Sequence, residues 1–195
     1  MLDFLNPLIS AAAGLGGVFL GGYLSDRRER EKRRNDFITR QLAEFYGPLV
    51  SMRAEIQARS ALRLKIQTAQ DQNHMNDLLD AQLHGGPNAV KEMNDDNIPP
   101  MLDVMRDEYK IFTDVMMPLY RNMLQTFRDR MWLAETETRD YLPALVEFVD
   151  VWERHLRGTM PGEVLLEINH TEQNLHPFYD HLKSTHDRLR HVLAA

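Results

Sequence analysis

Apolar residues recur every three or four positions along most of this chain. Ile38, Leu42, Phe45, Leu49, Met52 and Ile56 are spaced 4-3-4-3-4, and Leu102, Met105, Tyr109, Phe112, Met116, Leu119 and Met123 are spaced 3-4-3-4-3-4. Leu142, Leu145, Val149, Trp152 and Leu156 follow the same rule, as do Leu175, Phe178, Leu182, Thr185, Leu189 and Val192. A period near 3.5 places each set on one helical face. No segment sustains the two-residue alternation of a strand. Four such faces bury themselves against one another as a bundle.

Turn chemistry predicts where these helices stop. Gly85-Gly86-Pro87 ends the first long one, because glycine favours a helix end and proline cannot continue it. Asn94-Asp95-Asp96-Asn97 followed by Pro99-Pro100 predicts the start of the next, leaving residues 84–97 as an unpatterned connection. Asp140 and Asn174 are the expected caps of two later helices, with Pro143 and Pro177 in their first turns. Residues 157–162 read as a loop, and a short helical piece is expected over 163–168.

Two prolines sit inside seams that keep their register across them. Pro48 in Glu44–Val50 and Pro118 in Val115–Arg121 therefore predict kinks in continuing helices, each depriving a carbonyl four residues back, at Glu44 and Asp114, of its donor. Beside them stand Phe45, Tyr46, Met116, Met117 and Tyr120. With Pro48 and Pro118 these form a candidate ligand or partner groove, for which adaptable methionine is well suited. The alternative is that the kinks only wrap the helices round the core.

The amino-terminal stretch has a different texture. Leu8 to Leu24 holds no charged residue in 17 positions, about 25 Å of helix, close to the thickness of a hydrocarbon core. A nucleotide loop is excluded on residue types: Phe19 stands where G-x-G-x-x-G needs its third glycine, and no lysine follows Gly21-Gly22. Ala13, Gly17 and Gly21 recur every fourth residue, the spacing that lets two membrane helices approach closely. Residues 1–25 are thus expected to be a membrane anchor that self-associates through that small-residue face.

Charge then sets orientation. After the apolar stretch come Arg27, Arg28, Arg30, Lys32, Arg33 and Arg34, whereas only Asp3 precedes it. The positive-inside rule places the amino terminus outside and the rest in the cytoplasm, with a single span. The six basic residues would lie at the membrane interface, facing anionic lipid. Residues 26–40 carry seven Lys/Arg against four Asp/Glu, and residues 41–195 carry 16 against 24. An acidic body repels phosphate, so nucleic acid is not an expected partner. Cysteine is absent, so there is no disulfide framework.

The basic collar and Gln41–Leu49, QLAEFYGPL, resemble small bacterial single-pass inner-membrane proteins with a cytoplasmic helical domain. The likeness covers about the first 55 residues. It implies a bacterial or phage-related setting and one anchor, and brings no catalytic residues.

Histidine is the remaining chemistry. His176, His181, His186 and His191 are five apart, a step of about 140° on a helix, so they cannot share one metal. Asp71-x-x-His74 and Glu167-x-x-His170 imitate half of a bundle di-iron site, which needs two true Glu-x-x-His motifs and two further glutamates. No metal or cofactor is expected, and no small-molecule substrate is identified. The expected fold is all-α: a transmembrane helix (1–25), a basic collar (26–40) and an antiparallel bundle of about four long, partly Pro-kinked helices (41–195). The expected function is a membrane-anchored adaptor, scaffold or sensor, not an enzyme, that binds a protein partner or a second copy at the lipid bilayer. A membrane effector that perturbs the bilayer and a metal-dependent bundle enzyme stand as alternatives.

Overall fold

The computed structural model describes residues 26–194, apart from Pro87. The anchor expected over 1–25, with Ala13, Gly17 and Gly21, lies outside the described residues. Among the described residues every regular element is helical, and no helix is long and apolar enough to cross a membrane.

Helix α1 (26–41) passes through a π-turn, Leu42–Tyr46, into α2, Gly47–His84. The three form one rod of 26–84, about 87 Å long at 1.5 Å per residue. No break separates the collar from the bundle. After the Gly85-Gly86 turn, α3 (Ala89–Ile111) runs back along α2, then a second π-turn, Phe112–Met116, leads into α4, Met117–Asp129. A 3-10 turn (Met131–Leu133) and the one-turn α5 (Thr136–Arg139) connect to α6, Leu142–Leu156. Short α7 (Gly162–Glu167) and a second 3-10 turn (Glu172–Leu175) deliver the chain to α8, His176–Ala194.

Three expectations of helix starts are corrected. α3 begins at Ala89 rather than near Asn97, and Pro99 and Pro100 lie inside it. Both prolines are exposed, so water can satisfy the carbonyls they leave bare, while Asn97 Nδ2 donates to Asp77 Oδ2 of α2 at 3.0 Å and holds the early turns in place. Neither Asp140 nor Asn174 caps a helix. α6 starts one residue later, after Tyr141, and Asn174 sits within a 3-10 turn with its amide donating to Asn169 O.

The two prolines produce π-turns. Gly47 N–H donates to Leu42 O and Met117 N–H to Phe112 O, each five residues back. Each wide turn closes one residue before its proline, so the missing N–H falls where the hydrogen-bond ladder already changes phase. Gly47 has a local reason: a Cβ there would lie 2.5 Å from Leu42 O. Met117 carries a side chain at the equivalent place, so a π-turn does not itself demand glycine; Gly47 sits in a tighter version, with ψ −54° against −40°.

A π-turn adds one residue to the helix, turning everything beyond it by about 100° relative to an uninterrupted helix. The longest apolar stripe is therefore continuous in sequence but not in space. Met116 and Met123 are buried and Phe112 and Leu119 are half-buried against the core, whereas Leu102, Met105 and Tyr109 are 50%, 58% and 52% exposed.

The core lies between the exposed collar helix and the outer part of α2. It draws on Ile38 to Ile56, Met116 to Phe127, α6 and α8. Phe127 centres an aromatic group, 5.3 Å from Phe45 and 5.9 Å from Phe178. α6 returns antiparallel to α4, pairing Tyr120 with Phe148 at 4.7 Å, and α8 returns antiparallel to the first rod. Beyond Ile56 the α2–α3 pair has no buried residue among those described and projects as a two-helix arm, residues 57–111, about 40 Å long.

Candidate functional site

The structure places the side chains of Phe45, Tyr46, Met116, Met117 and Tyr120 in the core, each 6% exposed or less. Pro48 and Pro118 are half-buried at the adjoining bends. These residues pack the bundle; the clefts open elsewhere.

Tyr46 anchors a polar chain that crosses the fold. Its hydroxyl shares a hydrogen bond with Thr138 Oγ1 at 2.8 Å and accepts the Glu135 N–H at 3.1 Å. Thr138 Oγ1 in turn meets His181 Nε2 at 2.8 Å. Gln41 Nε2 donates to Leu133 O at 2.7 Å, and Arg188 pairs with Glu135. The first π-turn thereby fastens the 130–141 connection and α8 to the first rod. Burial pushes the Tyr46 hydroxyl up from its ordinary value, so it stays neutral.

A second polar group lies two turns further along the rod. Arg53 Nη1 donates to Glu172 Oε1 at 2.5 Å, and its guanidinium lies 3.9 Å over the Tyr179 ring. The Tyr179 hydroxyl is buried beside Tyr120 with no well-formed hydrogen bond. Burial raises both phenols, as does the neighbouring Glu172 carboxylate. His170 is buried too, stacked 5.2 Å from Phe148 with Nε2 at 3.2 Å from Phe148 O. Burial lowers its pKa, so the ring is neutral and donates Nε2–H to that carbonyl. Among the described residues no group of three His, Asp or Glu could hold a metal.

An apolar cleft lies at the foot of the arm. This cleft of about 460 Å³ opens between α2, α3 and α6, walled by Ile66, Met101, Met105, Tyr109, Phe112 and Trp152. Phe112 and Trp152 meet edge-on at 4.6 Å, and the buried Trp152 Nε1 has no partner. Arg63 stands on the rim, 3.7 Å from Glu108. From this cleft the bare stripe of α3 continues outward through Tyr109, Met105, Leu102 and Ile98, the last 44% exposed. Sequence pattern had a signal for it. The face of α2 that continues from Ile56 reads Ser60, Arg63, Gln67, Gln70, His74, too polar to cover an apolar stripe on its neighbour.

At the other end of the rod, Arg27, Arg28, Arg30, Lys32, Arg33 and Arg34 are all exposed on α1. Arg33 pairs with Glu29 at 2.5 Å, and among the described residues the first buried one is Ile38. Among those residues the collar is an exposed helical stalk of about three turns. Where it enters the body, Phe37 and Trp132 stand half-exposed 6.3 Å apart, with the Arg40 guanidinium 4.6 Å over the indole.

No protein-family model, curated protein or solved structure matches the chain.

Proposed function

We propose that the chain is a membrane-anchored adaptor or scaffold of the bacterial inner membrane, whose cytoplasmic body presents the α2–α3 arm to a protein partner. The observation that carries this reading is the bare row Ile98, Leu102, Met105 and Tyr109 running into the cleft at Trp152. Single exposed apolar residues are ordinary, but a contiguous row with aromatic and methionine side chains marks a docking surface. An amphipathic helix laid along it would meet anchors at helical spacing.

The rod supports the same reading. Its basic stalk and its arm lie at opposite ends of one helix, so a collar held at anionic lipid by Arg27 to Arg34 would carry the arm tip roughly 87 Å away. The anchor itself is proposed on the uncharged Leu8–Leu24 stretch and its basic flank. No feature of the described residues favours the membrane-effector alternative or a metal-dependent enzyme.

A photoreactive side chain placed at position 105 of the full chain, in cells, tests the reading. The expected result is a discrete protein adduct in the membrane fraction that disappears when Leu102→Glu is added. An adduct indifferent to Leu102→Glu, or none, would refute the docking surface. Recovery of the chain in the soluble fraction would refute the anchor.

A further inference from the structure

The geometry points to a second copy of this chain as the occupant of the bare α3 stripe, the two arms lying antiparallel to form a four-helix bundle. This rests on the docking reading above and names its partner.

The arm is electrically polar. At its base, residues 57–65 carry Arg59, Arg63 and Lys65 with no acid, and residues 103–110 add Arg106 and Lys110 against Asp103, Asp107 and Glu108. Toward its tip, residues 71–95 carry Asp71, Asp77, Asp80, Glu92 and Asp95 against Lys91 alone. The base is thus net +2 and the tip net −4 with histidine neutral. Even with Glu55, which already pairs with Arg59, the base stays positive. Two arms side by side in parallel would set tip against tip and repel; antiparallel arms set each acidic tip against a basic base.

The apolar row is complementary to itself in that orientation. About a two-fold axis between residues 103 and 104, Leu102 of one copy faces Met105 of the other and Ile98 faces Tyr109. Ile98 then enters the cleft beside Tyr109, whose wall includes Met101 and Met105. About that axis residues 96–111 of the two copies lie side by side, roughly 24 Å of α3. A lone two-helix arm leaves this row in water.

The chain has no cysteine, so single cysteines can be read without background. In membranes of cells making the full chain, Leu102→Cys and Met105→Cys should each cross-link to themselves with a short bis-maleimide. Ile98→Cys should not, since its two copies would be roughly 16 Å apart along the axis. Ile98→Cys co-expressed with Tyr109→Cys should cross-link again. Adding Leu102→Glu to the Met105→Cys chain should cut the dimer yield at least tenfold, with helix content unchanged because position 102 is half-exposed. Equal self-linking at 98, 102, 105 and 109 would mean parallel arms and overturn the inference. No dimer, together with the photo-adduct to another protein described above, would overturn the second copy while leaving the docking surface standing. Neither dimer nor adduct would overturn both.

Discussion

Removing one hydroxyl should have unlike effects at two buried tyrosines. Tyr46 is fully buried and Tyr179 is 6% exposed. In Tyr46→Phe, the Glu135 N–H loses its acceptor and Thr138 Oγ1 loses one of its two partners, keeping His181. Each net hydrogen bond is worth about 1 kcal/mol, and stranding the part-buried Glu135 N–H adds to the cost, so the loss should be about 2–3 kcal/mol. For a body of this size that corresponds to roughly 5–10 °C in Tm. In Tyr179→Phe the hydroxyl removed has no well-formed bond to lose, and the ring over Arg53 remains. That change should be neutral within about 0.5 kcal/mol, or slightly stabilising, because a desolvated polar group is removed. Urea denaturation of the full chain in mild detergent, followed by far-ultraviolet circular dichroism, measures both. Equal losses from the two variants, or a Tyr46→Phe loss below about 0.5 kcal/mol, would refute the assignment of the Tyr46–Thr138–His181 chain as the clasp of the fold.

Two other changes are informative. His170 is buried neutral with its pKa lowered, so the unfolded chain takes up its proton first as pH falls. Stability should be complete above the free-histidine value near 6.5 and decline below it until the lowered pKa is passed; thermal melts from pH 7.5 to 5 should show this decline, and His170→Gln should flatten it. Gly47→Ala would improve helix propensity by up to about 1 kcal/mol yet put a Cβ 2.5 Å from Leu42 O. The overpacking should win, for a net loss of about 1–2 kcal/mol in the same denaturation; a stabilised variant would show that the π-turn relaxes freely.

Periodicity carried much of this fold. The seams at 38–56, 142–156 and 175–192 all pack into the core, because each lies on one uninterrupted helical face or at a turn the core surrounds. Gly85-Gly86 ends a helix where expected, with Gly85 in extended backbone and its missing Cβ making room for Ala89 Cβ. What the pattern could not carry is phase. Proline announces a disturbance at 48 and 118, but whether the helix bends or widens depends on where the preceding N–H groups find acceptors. The widening at Phe112–Met116 separates Tyr109 from Met116, residues that a heptad count joins. The early start of α3 escaped for a related reason: Pro99 and Pro100 are tolerated only because that surface is wet, a tertiary fact. Met117 in the core and Leu102 and Met105 in the open lie on the two sides of the same π-turn.

The π-turns also make the chain sensitive to length in an unusual way. Deleting a single residue within Phe112–Met116 would restore an ordinary α-turn without removing any core side chain of α4 or α6. Because α2 is continuous with the stalk, α3 alone would turn about its own axis, by roughly a quarter-turn, carrying Leu102, Met105 and Tyr109 toward a new compass bearing relative to α2. Adding a heptad to each of α2 and α3, by contrast, would extend the arm by about 10 Å and leave its bearing almost unchanged. Reach and aim are therefore separate dials on this molecule: one set by whole heptads inserted in the arm, the other by one residue at its shoulder.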